Sequence, residues 1–469
     1  MTKKGKENGD WININPVTKE VTIHGQKLYS YLKEHKHILL SERGNFYLYQ
    51  YGKYRQLGHN EFASIIKEYL PLDRRTRKNW EMVLDEFKTD PPSVKEDDFN
   101  DDENIINFKN GILDLTTGEL LKHDPKYLST RQIPCDYNPD LTWADAPVFK
   151  EYIDSLVSGD GQDLDCLMQF TGAVISNVKG WRYKKLLILV GEGNTGKTQL
   201  RELVMRILGK ENCISIDMAK IHERFGPALL YRKRLAGSGD MAYVELSEVN
   251  IIKNLTGGDS LFAEFKGKDG FSFRYDGFLW FNCNRLPFFR GDRGEHVYSR
   301  FLIVRCGNVI PEDKRDPHLI DKMMEEKEAI VSLAISYFKK TLGQYKFTEG
   351  ESMESERHMY ELQNNSLLTF VSECCILRPD PSGPYKKLSI RRSEFNSLYS
   401  KWCRQNMVKP ERERDIGIQL EKHFGITAVK TNGIYEYPLE VMDEVKADLI
   451  CDDVLGSGQT GRGKYYSKW

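Results

Sequence analysis

The stretch Leu186-Leu-Ile-Leu-Val190, followed by Gly191-Glu-Gly-Asn-Thr-Gly-Lys-Thr198, decides the fold class. The five apolar residues predict a buried strand, and residues 199–208 predict a helix. The segment between them matches G-x-x-x-x-G-K-[ST] in full, the pattern of a loop whose backbone N–H groups cradle phosphates. In such a loop Lys197 reaches the β- and γ-phosphates, and Thr198 offers its hydroxyl to Mg²⁺. We predict an α/β protein of the nucleotide-hydrolase class, with nucleotide contacts at Gly191, Glu192, Gly193, Asn194, Thr195, Gly196, Lys197 and Thr198.

Two polar residues further along are candidates for the rest of this site. Asp240 ends a weakly apolar predicted strand over residues 234–240, where a carboxylate can hold Mg²⁺. Asn284 follows the apolar run Phe278-Leu-Trp-Phe281, and an amide at the end of such a strand can meet the γ-phosphate and the attacking water. The alternative for each residue is an ordinary surface turn.

A basic hairpin is predicted between those two strands. Gly257-Gly-Asp259 precedes two short apolar segments, which are separated by Lys266-Gly-Lys268-Asp-Gly270. Glycines between alternating segments favour a tight reversal, which places Lys266 and Lys268 near the tip. Lysines at a hairpin tip can grip a phosphate backbone, although most lysines in turns are simply solvated.

The order of these parts resembles the superfamily 3 helicases. The loop, the acid, the lysine hairpin, Asn282-Cys-Asn284-Arg-Leu-Pro287 and Tyr298-Ser-Arg300-Phe-Leu-Ile-Val304 follow one another as in the helicase part of phage, plasmid and poxvirus primase–helicases. Upstream, Asn107-Phe-Lys-Asn-Gly-Ile-Leu-Asp-Leu115 resembles the domain that precedes the helicase in that family. The resemblance covers residues 100–345 and implies an AAA+-like P-loop core.

The resemblance also implies roles for single residues. Asp240 is the acid on the Mg²⁺ side, Asn284 the sensor, and Arg300 an arginine finger given to a neighbouring subunit's ATP. Lys266 and Lys268 form the pore hairpin that touches DNA. The family often carries two adjacent acids, whereas here Gly239 precedes Asp240. The base that activates water therefore stays open, with Glu245 and Glu248 as nearby acids.

Charge and composition divide the chain into regions. Between residues 85 and 103 there are nine acids and two lysines, a net charge of −7, and Pro91 and Pro92 interrupt the run. Such a run favours an exposed linker. The predicted regions are a small N-terminal α+β domain within an α-rich N-terminal part (1–84), an acidic linker (85–104), a mainly helical domain (105–180), the helicase core (181–345), a winged-helix-like module (346–454) and a flexible tail (455–469).

The C-terminal module is locally basic. Residues 386–422 hold ten basic and five acidic side chains, a net of +5 in a protein whose total is −1. Two helices are predicted there, one carrying Phe395, Leu398, Tyr399 and Trp402 on one face, and a β-wing follows over residues 431–437. A winged helix of this charge suits duplex DNA, and the alternative is a solvated helical face.

Composition excludes several classes of protein. The 469 residues are 29% charged and 40% hydrophobic, which excludes a wholly disordered chain and a uniformly basic coat protein. No stretch approaches the ~20 apolar residues of a membrane span, and the N-terminus lacks a secretory signal. Nine cysteines without a C-x-x-C pair indicate free thiols in a reducing compartment, so we expect the cytoplasm of a bacterial host and no membrane partner.

These patterns lead to one expected function and two rivals. The expectation is an ATP- and Mg²⁺-dependent DNA helicase for replication of a phage or mobile element. It would be a homo-hexameric ring that moves 3′→5′ on single-stranded DNA, with duplex DNA and a primase or polymerase as further partners. The first rival is an origin-binding initiator whose ATP site drives ring assembly without processive unwinding. A packaging motor is disfavoured because no nuclease acid cluster follows the core, and residues 10–84 lack the acid pair that primase metals need.

Overall fold

The structure is a computed structural model that describes the chain in five stretches: residues 9–246, 249–289, 295–377, 388–406 and 408–451. The described residues belong to two compact units. The first unit combines residues 1–242, 250–285 and 304–350, and the second combines residues 243–249, 286–303 and 351–469. Within the described stretches, no helix has the length and apolar character to cross a bilayer.

The first unit begins with a small α+β layer. Its elements are β1 (Ile12–Ile14), β2 (Val21–Ile23), α1 (Gly25–Lys36), β3 (Ile38–Ser41), β4 (Phe46–Gln50), β5 (Lys53–Leu57), α2 (His59–Glu68), α3 (Arg77–Thr89) and β6 (Ser93–Val94). Four strands form a sheet in the order β5-β4-β3-β6. On α2, Phe62 and Ile66 are fully buried because residues four apart share one face of a helix. The aromatic strands β4 and β5 form an antiparallel hairpin, and α2 follows them, so the predicted α+β character of this region is confirmed.

The acidic run over residues 85–103 is not an exposed linker, which corrects the sequence-based expectation. Its first residues lie in the last turns of α3, and β6 pairs in parallel with β3. Glu96 is only 3% exposed and accepts hydrogen bonds from Ser41, Asn45 and Tyr47. A buried carboxylate is stable only when it is paired and hydrogen-bonded, and these partners lie about fifty residues away in sequence.

The next part of the first unit combines a small sheet with helices. Its elements are β7 (Ile105–Phe108), β8 (Gly111–Asp114), β9 (Leu120–Leu121), α4 (Pro147–Leu156) and α5 (Gly161–Ile175). Helices α4 and α5 lie within the region predicted to be a mainly helical domain (105–180). A three-stranded antiparallel sheet, β7-β8-β9, precedes them, so this region is not helical throughout.

The middle of the chain alternates strands and helices. The strands are β10 (Leu186–Val190), β11 (Cys213–Ser215), β12 (Leu235–Gly237), β13 (Glu245–Leu246), β14 (Ser260–Ala263), β15 (Phe271–Arg274), β16 (Phe278–Cys283), β17 (Phe288–Phe289) and β18 (Phe301–Arg305). The helices are α6 (Lys197–Leu208), α7 (Met218–Ile221), α8 (Gly226–Leu229), α9 (Asn250–Gly257), α10 (Glu295–Tyr298), α11 (Leu319–Glu325) and α12 (Lys327–Lys339). Of these, β13, β17, α10 and residues 301–303 of β18 belong to the second unit.

A five-stranded sheet with the order β11-β12-β16-β10-β18 organises the first unit. The neighbouring strands β12, β16 and β10 run parallel, so their carboxyl ends meet at one edge. Every residue of β10 and β16 is buried, as expected for strands covered on both faces. The strand predicted over residues 234–240 is shorter than expected, because β12 ends at Gly237. The parallel arrangement therefore brings the carboxyl ends of β12, β16 and β10 together at one edge of the sheet.

Two features of the first unit lie outside the five-stranded sheet: a close contact between two helices, and the lysine hairpin. Helix α5 packs on α12 at Gly172, where a Cβ would lie 2.2 Å from the carbonyl oxygen of Ala334. Strands β14 and β15 form the expected antiparallel hairpin, with Ala263 opposite Phe271. The loop between these strands spans residues 264–270, and Gly267 turns there with φ of +75°. The hairpin geometry predicted from the glycine pattern is confirmed.

The second unit holds the C-terminal helices. Its remaining elements are α13 (Glu351–Asn364), α14 (Ser366–Cys374), β19 (Cys375–Ile376), β20 (Ile390–Arg391), α15 (Arg392–Gln405), α16 (Glu413–Phe424), β21 (Val429–Thr431), β22 (Ile434–Tyr437), β23 (Glu440–Val441) and α17 (Asp443–Cys451). Phe395, Tyr399 and Trp402 of α15 are buried in the core of this unit. The two predicted helices, which are α15 and α16, and the hairpin β21–β22 are confirmed as elements. Lys386, Lys387 and the tail over residues 455–469 lie outside the described residues.

Candidate nucleotide site

The glycine-rich loop between β10 and α6 has a backbone that only glycine accepts at two positions. Gly191 has φ of +158°, and a Cβ there would lie 2.1 Å from the carbonyl oxygen of Cys306. Gly196 has φ of +93° and directly precedes the first residue of α6. The helix N-terminus therefore points its positive dipole end at the loop, as anion-binding loops require.

Lys197 lies inside this loop. Its Nζ donates hydrogen bonds to the carbonyl oxygens of Gly191 at 2.8 Å and Glu192 at 2.6 Å, and to Oγ1 of Thr195 at 3.1 Å. The residue is 7% exposed, and burial lowers the pKa of its ammonium group. An ammonium held among loop carbonyls occupies the position from which it can turn to phosphate oxygens.

Thr198 and Asp240 meet at the same edge of the sheet. The Thr198 hydroxyl donates to the carbonyl oxygen of Gly239 at 2.9 Å, although 41 residues separate the two. Burial lowers the pKa of Lys197 most, and the negative charges that counter this shift include Asp240. A hydroxyl and one carboxylate beside a phosphate loop suit Mg²⁺, which keeps several waters and takes few protein ligands. The described residues contain no group of three or more His, Cys, Asp or Glu side chains arranged for a metal, so such an ion would depend on phosphate oxygens as well.

The asparagine that touches the loop is Asn282, which the sequence did not single out. Its side chain is fully buried, and its Nδ2 donates to the backbone oxygen of Lys197 at 2.8 Å. Its Oδ1 accepts from the indole N–H of Trp280 at 2.9 Å. Asn284, the predicted sensor, is exposed just beyond Cys283, which pairs with Val190 at the start of the loop. Asn282 therefore supports the loop from within the strand, while Asn284 lies at the open edge.

A tyrosine from α4 also supports the loop. The Tyr152 hydroxyl donates to the carbonyl oxygen of Gly196 at 2.8 Å, and its Cε2 would lie 3.1 Å from a Cβ at Gly196. Burial raises the pKa of this phenol well above its usual range, so it remains a hydrogen-bond donor. Spacing on the helix indicated only a core position, because Phe149, Tyr152, Ile153 and Leu156 share the apolar face.

Tyr152→Phe is expected to raise the KM for ATP about three- to tenfold with a smaller change in kcat. The variant keeps the ring and leaves the Gly196 carbonyl without its donor, a loss of about 1–2 kcal/mol that falls on the loop. Steady-state hydrolysis against ATP concentration measures the effect. Tyr183→Phe is the matched control, because its buried hydroxyl bonds Thr341 in the same unit. An unchanged KM in Tyr152→Phe would contradict the supporting role.

The remaining predicted residues are not among the contacts described above. Lys266 and Lys268 are exposed in the loop of the β14–β15 hairpin, where the sequence placed them. Arg300 belongs to the second unit, and its Nε donates to the carbonyl oxygen of His296 at 3.2 Å. Glu245 lies in β13 of that unit, and Glu248 lies outside the described residues. The finger, the pore contact and the water-activating base stay predictions.

Two family comparisons cover different parts of the chain. Residues 25–158 match a family described as D5 N terminal like. Residues 189–300 match a family of unknown function, DUF5906. The second match spans the whole phosphate loop, and also Asp240, the lysine hairpin, Asn284 and Arg300. The first match ends in the loop after α4, the helix that carries Tyr152.

Individual proteins are also similar to this chain. The "Putative helicase 184R" of Invertebrate iridescent virus 6 is 27% identical over 265 residues, which are 51% of this chain and 27% of that protein. The chain thus aligns with about a quarter of that relative's length. An A form apo structure of the NrS-1 C terminal region gives a TM-score of 0.49 at 13% identity over 88% of this chain and 98% of that one. Another apo structure of that region gives 0.47 at 14% identity over 89% and 99%.

Proposed function

We propose that the chain is a protein of the viral primase–helicase type and acts as an ATP-driven DNA helicase in the replication of a phage or mobile element. The match of residues 25–158 to the D5 N terminal like family and the similarity to an iridescent-virus protein described as a putative helicase support this proposal. The observation that carries the proposal is the loop geometry: Lys197 lies inside the glycine loop, and Thr198 bonds the segment that ends in Asp240. A phosphate loop coupled to an acid that shortly follows β12, two strands away in the sheet, is the arrangement that hydrolyses nucleoside triphosphates with Mg²⁺.

The chemistry at this site follows from the positions of its side chains. ATP lies with its β- and γ-phosphates against residues 191–198. Thr198 and Asp240 would hold Mg²⁺, which would neutralise charge on the phosphates. Lys197 leaves its loop carbonyls to neutralise charge on the phosphates as the γ-phosphoryl group departs. Asn284, at the open edge, orients the attacking water. In this proposal the core is an AAA+-like P-loop domain of superfamily 3.

Translocation requires a second contact, to DNA. In the proposed ring of six copies, ATP lies between subunits and Arg300 enters the neighbour's site. Hydrolysis moves the hairpins, and Lys266 and Lys268 carry one DNA strand in the 3′→5′ direction. The support for this part is the exposed, basic hairpin loop, since phosphate contacts by lysine are independent of sequence.

Lys266→Ala combined with Lys268→Ala is expected to lower affinity for single-stranded DNA about tenfold and to stop unwinding. The slope of log affinity against log salt should become shallower by about 1.4, because the variant lacks two phosphate contacts and its binding releases fewer counterions. Basal ATP hydrolysis stays at the wild-type rate, since neither lysine touches the loop. Lys109→Ala with Lys122→Ala, two exposed lysines elsewhere in the first unit, is the control. An unaltered affinity for single-stranded DNA and an unaltered salt slope would contradict the role of the hairpin in DNA binding.

The C-terminal helices are proposed to bind duplex DNA as a winged-helix module. Support comes from exposed basic side chains on and between α15 and α16: Arg391, Arg404, Lys409, Arg412, Arg414 and Lys422. Deleting this region is a poor test, because residues 390–449 share a core with Leu367, Phe370 and Val371 of α14.

In the cell, we propose that the protein acts in the host cytoplasm beside a primase or polymerase.

The alternative is an origin-binding initiator whose ATP site only drives assembly. Gly239 favours it, because a glycine stands where a second acid would activate water. The rate of ATP hydrolysis with and without single-stranded DNA separates the two functions. A helicase is stimulated by the strand, because hydrolysis is coupled to movement. Slow hydrolysis that is indifferent to DNA would favour the initiator.

A further inference from the structure

The buried carboxylate of Glu96 connects the N-terminal layer to the segment that leads into β12. Beyond its contacts with Ser41, Asn45 and Tyr47, Oε2 of Glu96 accepts from the Tyr231 hydroxyl at 3.1 Å. The same oxygen lies 3.5 Å from Nη1 of Arg232. The sequence separation is 135 residues, so this contact fixes the N-terminal layer against the helicase part of the first unit.

Arg232 has a strained backbone that this cluster maintains. Its φ is +60°, in the left-handed region that side chains other than glycine rarely adopt. Nη1 donates to the Tyr47 hydroxyl at 2.6 Å, and Nη2 donates to the backbone oxygen of Glu96 at 3.1 Å. Strain of this kind persists where the surroundings over-determine the conformation, and it is common at positions with a functional constraint.

The cluster ends on β15, the strand of the lysine hairpin that begins directly after the loop. The ring of Tyr231 lies 5.0 Å from Phe271 and 5.5 Å from Phe273, both on β15, in edge-to-face geometry. The guanidinium of Arg43, from the β3–β4 turn, lies over Tyr231 at 4.8 Å and over Phe271 at 5.0 Å. Its Nε is 4.0 Å from Glu96. One turn of the N-terminal layer thus touches the hairpin strand directly.

The charges of the cluster favour this contact at neutral pH. Burial by itself raises the pKa of Glu96, but the Asn45 hydrogen bond and the charge of Arg232 bring that pKa below its usual range. The ionised carboxylate faces Arg43 and Arg232, and the phenols of Tyr47 and Tyr231 remain protonated donors because burial raises their pKa values.

We propose that Arg43 and Glu96 are positioning residues for the lysine hairpin. Through Tyr231 and Phe271 they hold the loop end of β15 and so set where Lys266 and Lys268 present their ammonium groups to single-stranded DNA. The DNA half of this inference rests on the proposed function. The mechanical half, that the N-terminal layer restrains the hairpin, stands on the contacts alone.

Arg43→Met separates these two halves. Methionine keeps the aliphatic bulk and removes the guanidinium, which costs the stack on two rings and the charge facing Glu96. Amide hydrogen exchange over residues 260–274 should speed up about three- to tenfold, because hairpin opening loses those contacts. Affinity for a single-stranded oligonucleotide should fall about threefold or more, while basal ATP hydrolysis and Tm stay at wild-type values.

Arg55→Met is the matched control. Arg55 lies in the same four-stranded sheet, its side chain is 38% exposed against 36% for Arg43, and it pairs with Glu61 away from the hairpin. Its exchange, affinity and hydrolysis should equal those of the wild type. Unchanged hairpin exchange in Arg43→Met would overturn the proposal. Faster exchange with unchanged DNA affinity would reduce Arg43 to a structural residue, and a wild-type chain that binds no DNA would refute the proposed function instead.

A double-mutant cycle keeps the proposal testable if Arg43→Met lowers Tm. Phe271→Leu removes the ring on which Arg43 stacks while keeping an apolar side chain on β15. If Arg43 acts through that ring, the effects of the two substitutions on hairpin exchange are not additive, and the double variant equals the more severe single one. Additive effects would overturn the coupling.

Discussion

Lys197→Ala is expected to abolish ATP hydrolysis and to leave the fold intact. The substitution removes the only ammonium group that donates to Gly191, Glu192 and Thr195 within the described loop, and with it the charge that neutralises the β- and γ-phosphates. Electrostatic groups at such a site contribute on the order of 10³-fold in rate. Phosphate release under saturating Mg²⁺ and ATP measures the loss.

The fold survives this change for a physical reason. The Lys197 ammonium donates to loop groups, the carbonyl oxygens of Gly191 and Glu192 and the hydroxyl of Thr195, which lie outside the core strands. The core strands β10 and β16 keep all of their contacts. The circular dichroism spectrum of Lys197→Ala should therefore match that of the wild type. Lys210→Ala, which changes an exposed lysine just after α6, is the control and should give the same spectrum. A folded Lys197→Ala protein that hydrolyses ATP at the wild-type rate would refute the phosphate-loop assignment.

Arg300→Ala is expected to bind ATP and to hydrolyse it about 10³-fold more slowly, because an arginine supplied in trans neutralises charge in the transition state. The variant and Lys197→Ala fail for different reasons. When the two inactive proteins are mixed, some interfaces pair an intact loop with an intact Arg300. Hydrolysis should therefore reappear in the mixture. This experiment tests both the finger and the shared site between subunits.

The competing role for Arg300 is structural. Its Nε donates to the His296 carbonyl oxygen, one turn earlier, and could serve to end α10. In that case Arg300→Ala would stay active or lose stability, and mixing would restore nothing. Arg300→Lys separates charge from geometry, since lysine keeps the charge and loses the planar fork. A mixture as inactive as its parents, with both variants folded and exchanging subunits, would remove the finger from the mechanism.

The sequence predicted those parts of the site that depend on local pattern. The strand, loop and helix of residues 186–208 are contiguous, and glycine at Gly191 and Gly196 is required by backbone conformation. The hairpin at residues 260–274 was likewise predicted from its glycines. The parallel order of β12, β16 and β10 then brings Asp240 to the loop edge, which a strand-end argument anticipates.

The sequence could not predict contacts between distant segments. Glu96 looked like one acid in a solvated run, because composition says nothing of the partners that reach it from the β3–β4 turn and from Tyr231. Asn282 and Asn284 share one strand face, and only the observed end of β16 at Cys283 separates the buried one from the exposed one. Tyr152 looked like an ordinary core aromatic, because nothing in its helix indicates that its hydroxyl reaches the loop.

The most direct test of the proposed helicase is strand displacement from a forked DNA duplex. The wild-type chain with Mg²⁺ and ATP should separate a fork that carries a free 3′ arm, and it should fail on a duplex with only a 5′ arm. Lys197→Ala should fail on both substrates. If the wild-type chain hydrolyses ATP and binds the fork but releases no strand from either substrate, the helicase account is contradicted and the assembly-only initiator takes its place.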